Sequence, residues 1–468
     1  MVRCRPVLRA LTLGGLCAFA LAGCSSDSLP SLPKIGELNP FKEKPEPLPG
    51  RRIPVLPAAE KIPGELADAS APIVLPAAVM NEEWSQPGGT HNNAPGHLAL
   101  SGGTREAWSA DAGAGSSGVG RVTASPIVAG GRVFTLDAEG KVRAFSTGGG
   151  SAIWTQSLEP TPAKTAQAGG FSSLTTSSIF SLGGSDGGGY GGGLAADNGR
   201  LYGASGFGAV IAMDPATGKR LWEKPLGAPV RSSPSAAGDR VFVLTTEGRF
   251  YCLSGVDGTE IWSSRGLPHQ ASLSLNASPA IDGDIVAVPY PTGDVIGLKV
   301  LDGAPVWSES LTRTRAVSQF ASLTDAARPA IDNGVVYAIG HAGRMVATNV
   351  KTGERLWSIN APGTQTPWVA GESDFIVDTL GQIMAISKRD GKIQWTAKLP
   401  ANGAWSGPVL AGNSLWVVSS KGTLASVEPT TGRILGQQSL SSGSYIAPVV
   451  AGGRMYILTD NAKLVALN

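Results

Sequence analysis

The sequence predicts an all-β protein, a single eight-bladed β-propeller of four-stranded blades whose ring is closed by an N-terminal strand in the last blade. Three observations predict it. One unit of short strands recurs eight times, the chain ends one strand short of the eighth unit, and a match to the missing strand stands ahead of the first. Composition agrees: 63 glycines and a charged fraction of 16% suit a turn-rich sheet protein better than a helical one.

In chain order, residues 1–9 are basic and residues 10–22 form an apolar run. A run of that length is short for a bilayer span and reads as a secretory signal. The stretch Leu21-Ala22-Gly23-Cys24 resembles the bacterial lipobox, so residues 1–23 are expected to be a lipoprotein signal peptide and Cys24 the lipidated first residue of the mature chain. Ser25, rather than aspartate, follows it, which in enterobacterial lipoproteins implies sorting to the outer membrane. Arg3, Arg5 and Arg9 lie in the signal, and without them 35 basic groups face 36 acidic ones. A near-neutral chain offers no electrostatic case for nucleic-acid binding. Cys4 and Cys17 also fall in the signal, and Cys252, in an apolar strand, reads as a small buried hydrophobe.

Residues 24–81 read as a lipid-anchored, proline-rich linker. Eleven prolines between 25 and 81 remove amide donors and favour an extended leash. The apolar stretch from Ala71 to Val79 is read with the linker, the alternative being that it docks on the body or a partner.

Residues 82–468 hold the repeats. Their first turn and second strand begin at Val128, Ala195, Ser235, Ala280, Ala330, Val369, Leu410 and Val450. The next turn places glycine at 140, 208, 248, 293, 343, 381 and 422, with Ala462 in the last copy. After a longer first interval the spacing is roughly 40–50 residues, the period of a propeller with four short strands per blade. Each unit then turns at Asp-Gly or Thr-Gly, as at Asp257-Gly258 and Thr217-Gly218, where a two-residue hairpin with positive φ is expected. Four residues after that glycine stands Trp222, Trp262, Trp307, Trp357 or Trp395; Trp154 fills the place in the first unit and Gly436 in the seventh. These tryptophans are expected to fill the gap between adjacent blades. Arg105-Glu106-Ala107-Trp108-Ser109 matches the fourth strand that the last unit lacks.

The repeat Ala212-x-Asp214-x-x-Thr217-Gly218-x-x-x-Trp222 resembles that of the quinoprotein (PQQ-like) propeller superfamily. Within it, the lipobox and single compact propeller resemble the BamB family, lipoproteins of the outer-membrane β-barrel assembly (BAM) complex. Ser272-Leu273-Ser274-Leu275, Ser322-Leu323-Thr324-Asp325, the run from Asn333 to Ala338, and the run from Asp374 to Asp378 carry the resemblance, which covers about residues 84–468 and the anchor. It implies a non-catalytic scaffold that assists folding and insertion of β-barrel proteins. It also implies attachment to the periplasmic face of the outer membrane, and binding to the POTRA domains of a BamA-type barrel pore alongside other lipoproteins of the complex. The partner-binding residues it implies are Leu273, Leu275 and Asp325. Asn276 stands where the family has arginine, and Ala327 where it has a second acid. Independently, two leucines alternating on a segment outside the repeat unit suit a protein interface, while tucking under the blade is the structural alternative.

No catalytic constellation emerges. His91, His97, His269 and His341 are scattered without metal-ligand spacing, and His341 reads as a solvated turn residue. Gly183-Gly184-Ser185-Asp186-Gly187 fits G-x-S-x-G formally but lies in a glycine- and serine-rich tract, 168–193, that reads as a flexible insertion. No metal, cofactor or small-molecule substrate is expected. A quinone-dependent dehydrogenase on the same fold is the enzymatic alternative, against which stands the lack of adjacent cysteines; another periplasmic scaffold is the third reading.

Overall fold

A computed structural model describes residues 72–118, 120–161, 189, 191–266, 277–312, 325–341, 343–400 and 403–468. The signal, Cys24 and most of the linker lie outside these residues, as do Leu273, Leu275, Asn276 and most of the glycine-rich tract. Among the described residues there is no helix, and eight four-stranded antiparallel sheets hold every named strand.

Seven sheets are built from four consecutive strands each, and together the eight form the predicted propeller ring. The eighth pairs Val449–Ala451, Arg454–Leu458 and Lys463–Leu467 with Glu106–Asp111 from the other end of the repeats. In that pairing Trp108 lies opposite Ala466 and Ala110 opposite Leu464. The expected closure is therefore present, and it leaves no strand over. Within a blade the second and third strands are buried along most of their length, as in Arg240–Leu244 and Arg249–Ser254. Outer strands such as Glu260–Arg265 are largely exposed. Sheets packed face to face bury the middle strands on both sides, which is why these read as apolar runs rather than alternations.

The turn chemistry differs from the expectation in one respect. Paired positive φ values, the mark of two-residue hairpins, occur at the first turn of the blade, as at Asn333 (49°) and Gly334 (76°). The Asp-Gly and Thr-Gly turns before the outer strand are longer. In one, the Gly258 amide donates to the Ser254 carbonyl and the Ser254 amide to the Thr259 carbonyl. Only the glycine adopts positive φ there, and the pairing shifts by one residue between Cys252 and Leu253.

That longer turn explains the repeat motif. Trp222 pairs across the strands with Ala212, and Trp262 with Cys252. The small partner leaves room for the indole, which accounts for the buried Cys252 (burial pushes its thiol up to about 12). Asp214 ties its own turn by accepting from the Ala216 and Thr217 amides and the Thr217 hydroxyl. Each indole then reaches the corresponding turn of the next blade. Trp108 donates to the Thr147 carbonyl, Trp222 to Gly255, Trp262 to Val300 and Trp357 to Lys388, at 2.7–3.1 Å. The rings of Trp108, Trp154, Trp222, Trp262 and Trp357 lie over Gly150, Gly218, Gly258, Gly303 and Gly391. Trp307 and Trp395 make the same contacts with the turns at Gly353 and Gly432. Burying an indole contributes at most about 5 kcal/mol by area. The seventh blade has Gly436 because its neighbour has no such turn. There the outer strand Glu106–Asp111 comes from ahead of the first blade and not from a hairpin after Lys463–Leu467, the Asn468 amide bonding to the Arg105 carbonyl, and a tryptophan would have no such turn to cover.

A second closure was not legible in the sequence. Residues 79–101 run around the hub as a belt, meeting the innermost strand of each blade in order. Asn81 bonds blade eight through Val450 and Gly452. Trp84 exchanges two backbone bonds with Val128 of blade one. Ser85 and Gln86 bond Ala196 of blade two, and the Gln86 side chain also accepts from Ala236 of blade three. His91 takes the Ile281 amide of blade four, and Asn92 both backbone groups of Ile331 in blade five. The Gly96 carbonyl accepts from Trp368 of blade six, and Leu98 bonds blade seven at Leu410 and Gly412. Ser101 returns to blade eight at Gly453. The belt thereby satisfies inner-edge groups that would otherwise be unpaired. The stretch before it also packs on the body: Ile73 and Leu75 join the core, and Val79 pairs with Leu98. His97 bridges the two, with Nδ1 2.7 Å from the Pro76 carbonyl and Nε2 accepting from the Asn413 amide.

Candidate functional site

The belt lies at the end of the hub that carries the first turns of the blades. The opposite end carries the loops between blades, and there the hub opens into a cavity of about 530 Å³ floored by Trp84, Pro87, Gly88 and Asn93. The segments bearing Leu273, Leu275 and Asn276, and the segment that ends at Asp325, are two of these inter-blade connections. Their described flanks are Gly266 and Ala277, and Thr312 and Asp325. Ala277 and Ala327 line the cavity, so both connections rejoin the body at its rim.

Asp325 does not sit as a surface acid. It is 3% exposed, and its carbonyl accepts the His341 amide at 3.1 Å. Ala327 is likewise buried, its amide bonded to the Ile339 carbonyl. The contact position expected at Asp325 is thus built into the base of the loop, and the missing acid at Ala327 is a core position here. His341, expected as a solvated turn residue, lies half-buried in a turn at the wall of the open cavity.

Charge around the hub is uneven. Arg121, Arg231 and Arg328 enter from the inter-blade connections before blades one, three and five. Arg328 is fixed by Nε to the Ser278 hydroxyl at 2.7 Å and by Nη1 to the Pro87 carbonyl at 3.2 Å, and burial pushes its guanidinium down to about 10. Trp368, Trp405 and Tyr445 form the wall from blades six to eight. The acids are Asp378 and Asp460. Asp378 accepts the Leu380 and Gln382 amides, at 2.9 and 2.7 Å, and its pKa is raised by burial. Asp460 accepts the Ser116 hydroxyl. Among the described residues no group of three or more His, Cys, Asp or Glu side chains could hold a metal.

The seven tryptophans come together as a ring of inter-blade contacts, away from the cavity. Sequence reasoning missed Arg121, Arg231 and Arg328, each of which falls in a connection where the repeat pattern is silent.

Comparison with known proteins places this geometry. The sequence profile of the family described as outer membrane protein assembly factor BamB matches residues 98–187, 138–397 and 395–468. The BamB of Moranella endobia is 22% identical over 343 residues, covering 73% of this chain and 84% of that protein. The BamB of Yersinia pestis is 25% identical over 71% of this chain and 81% of its own. An uncharacterised protein of Rickettsia prowazekii is 26% identical over 60% of this chain, the match spanning 63% of that protein. Among solved structures, BamB from Moraxella catarrhalis superposes with a TM-score of 0.65 at 17% identity, over 78% of this chain and 99% of that one. A quinohemoprotein alcohol dehydrogenase from Pseudomonas putida gives 0.61 at 14%, over 84% and 82%; at such identities the likeness is one of fold. The repeat motif, the eight closed blades and the profile match over most of the chain lead to one assignment: this chain belongs to the BamB family of outer membrane protein assembly factors.

Proposed function

We propose that the protein is a non-catalytic scaffold subunit of the outer-membrane β-barrel assembly complex. It is anchored through lipidated Cys24 to the periplasmic face of the outer membrane and binds the periplasmic POTRA domains of a BamA-type pore. The observation that carries the reading is the family match, which runs through every blade. The inter-blade face of blades four and five is the binding surface, with Leu273 and Leu275 as apolar contacts and Asn276 beside them. Asp325, being buried, acts by holding its loop. The superfamily likeness favours a dehydrogenase as the second reading. Against it stands the lack of adjacent cysteines, a pair that many such enzymes carry.

The test is co-purification from the organism's own membranes in mild detergent. The double variant Leu273→Asp/Leu275→Asp is expected to lose the pore subunit while its thermal unfolding is unchanged. A folded double variant that keeps the pore overturns the assignment of this surface, and turnover of an alcohol with a quinone and a redox dye overturns the non-catalytic reading.

A further inference from the structure

The stretch ahead of the belt sits on the body as a short peptide sits on a docking site. Along it Ile73 and Leu75 are turned against the core cluster, and Val74 and Pro76 are exposed. It passes over Gly371, in the first turn of blade six. That glycine has a φ of 59°, and a Cβ there would stand 2.9 Å from the Val74 carbonyl oxygen and 3.1 Å from Cδ of Pro76. The Pro76 carbonyl accepts from Nδ1 of His97 at 2.7 Å. Val79 then joins the belt through backbone bonds to His97 and Ala99. The sequence carries this docked motif twice: Val74-Leu75-Pro76-Ala77-Ala78 is repeated nineteen residues earlier as Val55-Leu56-Pro57-Ala58-Ala59. The five shared residues include the leucine turned to the core, the carbonyl over Gly371 and the proline carbonyl that meets His97. Ile73 is the contact that distinguishes the copies, because Pro54 precedes the first. Both copies lie ahead of residue 98, where the family profile begins.

We propose that the site at Gly371 and His97 is a docking site for the Val-Leu-Pro-Ala-Ala motif, and that the first copy, residues 55–59, exchanges there with the second. In the exchanged state Ala59 takes the place of Ala78 beside Val79, the belt keeps its position, and residues 60–78 loop out between two adjacent points. The entropy of closing such a loop rises only slowly with its length. That cost and the loss of the Ile73 contact make the second copy the principal occupant. Exchange shortens the stretch between Cys24 and the docked motif from residues 25–73 to residues 25–54. The consequence rests on the lipid-anchor reading above: the propeller is held on either a longer or a shorter tether from the membrane. The docking itself involves no lipid.

The experiment puts the photo-cross-linking residue benzoylphenylalanine at Ala58, or at Ala77, an exposed position of the docked copy. The full-length chain carries Cys24→Ser and is kept free of membrane, and the products are mapped by mass spectrometry. Position 77 is expected to label the peptides that contain His97 or Gly371, and position 58 the same peptides in smaller yield. Leu75→Asp should raise the yield from position 58 by about ten-fold, the factor that one buried leucine contact sets, and Leu56→Asp should abolish it. Ile73→Pro gives the second copy the residue that precedes the first and should bring the two yields towards equality; it decides the matter even where Leu75→Asp is poorly folded. No such product from position 58 in the Ile73→Pro chain, or a yield unchanged by Leu56→Asp, overturns the proposal. Products that join only separate copies, seen in a mixture of light and heavy chains, overturn exchange within one chain. The mass of the N-terminal peptide from native membranes reports acylation of Cys24 separately, so a failure of the anchor reading is distinguishable from a failure of the exchange.

Discussion

Gly303 and Trp262 give the sharpest test of how the blades are held together. Gly303 has a φ of 74°, and a Cβ built there would stand 2.5 Å from Cε3 of Trp262 and 2.8 Å from its Cδ2. Gly283 has a φ of 56° but open space around its Cβ position. Gly283→Ala should therefore cost only the left-handed backbone penalty, about 1–2 kcal/mol. Gly303→Ala adds the overlap with the indole, a further 1–3 kcal/mol or so for forced repacking. Trp262→Ala removes a ring that is 9% exposed, lies tilted against Phe242 and Phe250 at about 6 Å, and donates to the Val300 carbonyl; the loss should be about 3–5 kcal/mol. In the double variant the overlap disappears with the ring, so the two losses should fall short of additivity by roughly 1–3 kcal/mol. Urea unfolding followed by circular dichroism measures all four. Additivity within about 0.5 kcal/mol, or equal losses for the two glycine variants, would refute the argument that the indole is seated on the turn of the next blade.

Two other perturbations probe the frame. Asp374 is fully buried, neither carboxylate oxygen has a hydrogen-bond partner among the described residues, and burial raises its pKa well above 3.8. Its folded pKa exceeds its unfolded one, so its contribution is fully present below about pH 4 and declines as pH rises towards the folded value, by up to about 1.4 kcal/mol per pH unit. Asp374→Asn should flatten the fall in unfolding midpoint between pH 4 and 7 relative to the parent chain; parallel profiles would show that the group is ionised in the fold. His97→Ala breaks the bridge between Pro76 and Asn413. It should expose residues 72–79 to limited proteolysis while the propeller unfolds near its original temperature, and unchanged resistance would mean that Ile73 and Leu75 alone hold the stretch.

What the sequence revealed and concealed divides along a physical line. Blade count, ring closure at Trp108 and the inter-blade tryptophans were legible because each depends on side chains recurring at a fixed period. Trp222 needs a small partner at Ala212, a capped turn at Asp214 and a glycine for the preceding indole to rest on, and all appear in one motif. The vacancy at Gly436 was visible as a break in the pattern, but its cause, an outer strand in the next blade that is supplied by Glu106–Asp111 without a hairpin, needed the ring. The belt was hidden because it works mainly through backbone groups. Trp84, His91 and Leu98 bond to the strands by amides and carbonyls, which leave no periodic trace. The arginines of the cavity were hidden because they come from three connections far apart in the chain. Asp325 was singled out by resemblance as a contact residue, yet burial is set by its neighbours, and its position beneath His341 could not be read from the motif.

The measurement that tests the central claim most directly is the pull-down of the tagged, full-length chain from its own membranes, with mass spectrometry of what accompanies it. The account predicts recovery of a large barrel pore bearing periplasmic POTRA domains, together with the other lipoproteins of the complex, and loss of that pore in the Leu273→Asp/Leu275→Asp variant. Recovery of a redox partner or of cell-wall enzymes in place of the pore would contradict it.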